Sequence, residues 1–139
     1  MKIQTIINTL KFEEGFSSHV YKDHRGFDTI GYGRLVDESK GGGITEVEAE
    51  LLLINDIGNV TKEITHRFPK FEQLSENRQT ALILMGFQLG VPGLFRFKKM
   101  IAALDIGHYD RAYTEAIDSK WAKQTPNRAL RVADLIRKG

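Results

Sequence analysis

The sequence predicts an α+β fold in which a small three-stranded antiparallel sheet and a larger set of helices form two lobes joined by one long helix. Three observations predict it. Val20, Tyr21, Phe27, Thr29, Ile30 and Tyr32 supply the β-branched and aromatic content of short strands, broken by the turn His24-Arg25-Gly26. Helical periodicity dominates the chain before and after that run. Finally, Val47, Leu51, Ile54, Ile57, Val60 and Ile64 hold a helical period for ~20 residues, or ~30 Å. A helix of that length is better placed as a strut between two lobes than inside one small core.

The first 12 or so residues read as an amphipathic helix, with Ile3, Ile6, Ile7 and Leu10 on one stripe. Gly15 is its natural stop, able to take the left-handed conformation after the last turn. The hairpin follows, and a third short strand is expected through Leu35 and Val36. So small a sheet must lean on a helix. Residues 40–43 form a loop, and Thr45-Glu46-Val47-Glu48 is a capping box that opens the long helix. Gly58 is a candidate bend within it, and Phe68-Pro69 ends it. Ser75 is placed to cap a helix that is apolar nearly all round (Ala81, Leu82, Leu84, Met85, Phe87, Leu89), which makes it the expected centre of the larger lobe. Gly90 closes that helix, and Pro92-Gly93 separates it from the next. Further helices are expected over about 95–103 and 109–117. The last begins with Thr125 as cap and Pro126 at its first position.

Length and composition bound the function. One domain of 139 residues is expected, 41% hydrophobic and 27% charged, a globular balance. No cysteine is present, so disulfide and thiolate chemistry are excluded. The four histidines show no metal-ligand spacing, and neither a metal nor another cofactor is expected. The N-terminal segment lacks the continuous apolar run of a signal peptide or a spanning helix, so no stable membrane insertion is expected and synthesis in the cytoplasm is. Charge is uneven: residues 1–76 carry 9 basic and 13 acidic side chains, net −4, whereas residues 77–139 carry 11 and 5, net +6. A basic half reads either as a solvated helical surface or as attraction to a polyanion, nucleic acid or bacterial envelope. No nucleic-acid motif or interleaving of aromatic with basic residues accompanies it, so nucleic acid is not the expected partner.

The chemistry concentrates in residues 11–36. Glu14 falls at a helix C-terminus, where the negative end of the dipole disfavours a second negative charge and favours a carboxyl that keeps its proton. Asp23 lies in a polar, solvated turn and is expected to stay ionised. Two carboxyls pushed toward opposite protonation states are what hydrolysis of a glycosidic bond requires. The bland alternatives are a surface glutamate at a frayed helix end and an aspartate that merely closes an Asx turn.

The string from Glu14 through Asp23 and Thr29 to Ile30-Gly31-Tyr32-Gly33 resembles the catalytic signature of the phage-type lysozymes, the endolysin family typified by the T-even phage enzyme. The likeness returns in Phe87-Gln88-Leu89-Gly90 and in Trp121 followed by Gln124-Thr125-Pro126-Asn127-Arg128. It implies a lysozyme-like fold, with the sheet lobe at about 13–58 and the helical lobe at about 1–12 and 59–139. The activity implied is hydrolysis of the β-1,4 bond between N-acetylmuramic acid and N-acetylglucosamine in bacterial peptidoglycan, with inversion. Glu14 would be the proton donor, and Asp23 with Thr29 would serve the water. Leu35, Phe87 and Gln88 match cleft-lining positions; core packing accounts equally well for Phe87, and Gln88 needs either a cleft or a buried partner. Arg128 matches an arginine that orients the catalytic glutamate, or else is an exposed helix charge. Trp121 reads as core rather than as a sugar platform. The resemblance also implies a monomer, made in the host cytoplasm and reaching the periplasmic wall through a separate holin-type protein. Rival readings are a lytic transglycosylase and a non-catalytic wall-binding virion component.

Three departures stand out. Arg34 replaces the family histidine, and its expected partner is Asp56, an attraction without histidine's titration. Met100 and Glu115 occupy two further cleft positions where the family has other residues. The segment 36–45 is shorter than in the T-even type.

Overall fold

The computed structural model describes residues 2–139, which divide into two compact units, the first running to residue 52 and the second covering residues 53–139. The first unit opens with α1 (Ile3–Glu14). Gly15 ends it at φ 70°, and its ψ of 159° is extended rather than left-handed helical, so the chain passes straight from helix to strand. Strands β1 (Ser17–Lys22), β2 (Asp28–Gly31) and β3 (Arg34–Leu35) form an antiparallel sheet in that order. Tyr21 lies opposite Thr29, and Thr29 opposite Leu35; the register of β1 on β2 shifts between Ser17 and Tyr21. β1 therefore starts earlier than Val20. β3 stops short of Val36 because the amides of Val36 and Asp37 both turn onto the Asp28 carbonyl, at 2.8 and 3.1 Å.

α2 (Glu46–Arg67) begins in the first unit and ends in the second. Its start is the predicted capping box: Thr45 N–H donates to Glu48 Oε1 at 3.0 Å, and Glu48 N–H to Thr45 Oγ1 at 3.1 Å. These two bonds satisfy amides that the helix itself leaves free. Among the described residues of the first unit no hydrophobic side chain is buried; its one buried side chain is Thr29.

The second unit is helical. A 3₁₀ turn at Pro69–Gln73 follows α2, then come α3 (Glu76–Leu89), α4 (Val91–Leu94), α5 (Lys98–Asp105), α6 (Tyr109–Ile117), α7 (Lys120–Gln124) and α8 (Pro126–Lys138). Its core holds Ile64, Leu82, Met85, Leu94, Met100 and Ile136, all inaccessible to solvent, with Trp121 at 5% exposure. Ser75 caps α3 by accepting from Arg78 N–H, as expected. The Arg78 guanidinium in turn donates to the carbonyls of Ile136 (2.7 Å) and Arg137 (3.2 Å), and lies over the Tyr109 ring. A cation is thereby placed on the negative end of α8.

Five local expectations are corrected. Pro92-Gly93 does not separate two helices but lies inside α4, where proline in the first turn has no amide to lose. α5 starts at Lys98 rather than near Phe95. α7 was not predicted, although Ser119, which accepts from Ala122 N–H at 3.1 Å, is its cap signal. Thr125 precedes α8 but does not cap it: its hydroxyl donates to the Trp121 carbonyl at 3.1 Å. α3, finally, is one-sided: Ala81, Leu82, Met85 and Gly86 are buried while Leu84 and Phe87 are each 38% exposed.

Candidate active site

Glu14 is the last residue of α1 and its side chain is exposed. Its carboxyl lies against the turn between β2 and β3, so close that a Cβ on Gly33 would sit 2.6 Å from Oε2. Next to that contact, Tyr32 carries Lys11 Nζ at 5.4 Å from its ring centroid and the Phe16 ring at 5.5 Å.

Asp23 opens the turn between β1 and β2. Its Oδ1 accepts from the backbone N–H of Arg25 at 2.8 Å and of Phe27 at 2.9 Å. The Phe27 bond above all holds the carboxyl below its ordinary value, with the Arg25 amide and the charges of His24 and Arg25 adding to it and partial burial opposing. Asp23 is thus an Asx-turn residue and an ionised carboxylate at once, because the amides that close the turn on Oδ1 are also the groups that favour its charge. Thr29, 4% exposed, donates its hydroxyl to the Phe27 carbonyl at 2.9 Å, and Asp23 N–H donates to the same oxygen at 2.9 Å. The backbone of Phe27 therefore ties Asp23 and Thr29 together. Asp23 and Leu35 also line one cavity of about 440 Å³, along with His24, Arg25, Phe27 and Lys40. Neither Lys40, expected only in a loop, nor Phe27, expected only as a strand residue, is marked by the sequence for this cavity; a cation–π contact of 4.8 Å joins them.

Arg34 does not have the expected partner. Its guanidinium pairs with Glu48 at 2.6 Å and reaches the Gly43 carbonyl at 3.4 Å. The physical reason is the short return of the chain: Gly43 N–H bonds the Leu35 carbonyl, which brings the first turn of α2 beside β3. Asp56 is two turns further on, ~12 Å along the helix. The Arg34 hydrogen bond, followed by the Thr45 amide and hydroxyl, lowers the Glu48 carboxyl to about 2 from 4.5. A depressed carboxylate stabilises the fold fully above its unfolded value and loses that contribution as pH falls through its folded value. The stability difference between wild type and Glu48→Gln is therefore expected to shrink as pH is lowered from 4.5 to about 2. Chemical denaturation at a series of pH values measures it, and a difference that is the same at pH 6 and pH 2 would contradict the pairing.

In the second unit, Gln88 has the buried partner that a polar residue in an apolar helix needs. Its Oε1 accepts from Trp121 Nε1 at 2.8 Å, and its Nε2 donates to Thr125 Oγ1 at 3.4 Å. Trp121 packs edge-on against Phe97 at 5.9 Å. Phe87 is partly exposed, and Arg128 is exposed on the first turn of α8. Met100 and Glu115 both line one cavity of about 650 Å³, together with Trp121. Met100 is fully buried in its wall, and Glu115 is held by Arg111 at 3.0 Å.

A small antiparallel sheet following a helix that ends in a carboxyl, with a mostly helical second unit, is the α+β lysozyme-like class of fold. Residues 11–138 match the family described as phage lysozyme. The chain belongs to the phage lysozyme family, which makes it an enzyme of the lysozyme class. It is 31% identical to the pre-baseplate central spike protein Gp5 of Enterobacteria phage T4, over 94% of this chain but only 27% of that protein. It is also 31% identical to a probable T4-type lysozyme 1 of Dictyostelium discoideum, over 99% of this chain and 96% of that one. An endolysin of Acyrthosiphon pisum secondary endosymbiont phage 1 is 29% identical over 85% of this chain and 77% of its own length. Among the described residues, no helix is long and apolar enough to cross a membrane.

Proposed function

We propose that the chain acts as one catalytic domain that hydrolyses bacterial peptidoglycan at the β-1,4 bond between N-acetylmuramic acid and N-acetylglucosamine, with inversion. Glu14 protonates the leaving oxygen, and Asp23 with Thr29 activates water on the opposite face of the sugar. The observation that carries this reading is the Asp23–Phe27–Thr29 arrangement. A carboxylate held ionised by two backbone amides shares a backbone anchor with a buried hydroxyl, inside the segment that matches the family. Asp23 keeps its second oxygen out of the turn's hydrogen bonds, which leaves it available to a water. Leu35 shares the cavity of Asp23 and lines the saccharide path there. Phe87, Gln88 and Arg128 are the substrate-side residues of the second unit, Gln88 acting through its bond to Trp121.

Product analysis on defined peptidoglycan tests this. The expected products carry ordinary reducing muramic ends of inverted configuration; anhydro-sugar ends would instead establish a lytic transglycosylase. Asp23→Asn preserves an oxygen that accepts the two backbone amides, so the hairpin is expected to persist while turnover falls ~10²-fold or more. A variant digesting at wild-type rate would remove Asp23 from the mechanism.

The enzyme works as a monomer made in the host cytoplasm, and a separate holin-type protein gives it access to the wall. The likeness to a phage spike protein favours a second setting for the same chemistry, wall penetration from the virion at entry. Presence or absence of the chain in purified virions decides between the two.

A further inference from the structure

Resting on the reading of Glu14 as proton donor, we propose that Gly33 is a positioning residue for it: the space left by the absent Gly33 side chain is the seat of the Glu14 carboxyl. A Cβ built on Gly33 would lie 2.6 Å from Glu14 Oε2, 3.0 Å from Cδ and 3.4 Å from Cγ, so the whole end of the side chain occupies the place where a methyl would be. The three heavy atoms nearest to that Cβ all belong to the Glu14 side chain. The two partners are also held in register. Tyr32, the neighbour of Gly33, is clasped between Lys11 Nζ on one turn of α1 and the Phe16 ring just beyond its end, at 5.4 and 5.5 Å. These contacts lie beside the place where the β2–β3 turn meets the C-terminal end of α1 and Gly33 faces Glu14.

The atoms in conflict are the far end of a flexible side chain. A methyl at Gly33 is therefore accommodated by Glu14 swinging away, at little cost to the fold beyond the backbone strain of a positive φ of 74°. Chemistry is much less forgiving, because a displacement of about 1 Å at a reacting group costs ~10²-fold in rate. Gly33→Ala should thus separate activity from stability.

The control is Gly41→Ala, which imposes a similar strain at φ 70° with nothing within 4 Å of the new Cβ. Both variants are expected to fold and to melt at similar temperatures. Gly41→Ala should keep wild-type turnover, whereas Gly33→Ala should lose ~10- to 100-fold in kcat with KM on soluble peptidoglycan fragments within about twofold. Gly33→Asn carries the same Cβ on the residue that best tolerates positive φ, and should behave alike. In the Glu14→Gln background, Gly33→Ala should cost nothing further, since the two act through one group. Turnover in Gly33→Ala and Gly33→Asn equal to that of Gly41→Ala would overturn the proposal. Failure of both Gly33 variants to fold would also overturn it, because the conflict is with a movable carboxyl. Should Glu14→Gln itself retain turnover, the reading of Glu14 fails; if Glu14→Gln is inert and Gly33→Ala active, only the Gly33 assignment does.

Discussion

Glu14→Gln is expected to leave a folded protein that barely digests cell walls. The substitution keeps the size and the hydrogen-bonding reach of the side chain, and it falls at an exposed helix end, where changes rarely disturb a fold. The melting temperature should therefore stay close to that of the wild type. An amide cannot donate a proton to a departing sugar oxygen. General acid catalysis of this kind contributes ~10²–10⁴-fold, and the loss in turnover should fall in that range. Clearing of purified sacculi and release of reducing ends measure it, with a thermal melt alongside. Activity above a tenth of wild type would take Glu14 out of the role of acid.

Leu82→Ala is expected to produce the opposite pattern, a large loss of stability with turnover per folded molecule preserved. Leu82 is fully buried on α3 in the core that also contains Ile64, Met85 and Ile136. Removing its methyl groups costs the transfer free energy and leaves a cavity, together ~2–5 kcal/mol. Against a total of ~5–15 kcal/mol for a domain this is a substantial share, and it corresponds to a fall in melting temperature of ~10 °C. Denaturant titration measures the change. A cost below ~1 kcal/mol would mean that the second unit does not have the close-packed centre assigned to it.

Local chemistry made much of the fold legible. The capping box at Thr45, the stop at Gly15, the Asx turn at Asp23 and the helix at Tyr109–Ile117 each depend on residues within four or five positions of one another. Such interactions are written in neighbouring letters. Legibility failed where two local signals competed. Pro92-Gly93 reads as a break, yet proline is at home in the first turn of a helix, and α4 forms around it. Thr125 before Pro126 reads as a cap, yet its hydroxyl is claimed by the preceding turn and by Gln88. The candidate site divides in the same way. The ionised state of Asp23 follows from its own turn, whereas the shared cavity with Leu35 and Lys40 required the sheet to be assembled first.

The sequence by itself determined the class of fold, the position of the carboxyls on a helix end and a hairpin turn, and the family, because period, capping and motif are short-range properties of the chain. Tertiary structure alone decided that Arg34 binds Glu48 rather than Asp56, that Gln88 serves Trp121, and that Gly33 faces Glu14. Each of these pairs is separated by 14 to 33 positions. At such separations the choice among chemically equivalent partners depends on where the intervening turns return the backbone, and no periodicity or cap rule carries that distance.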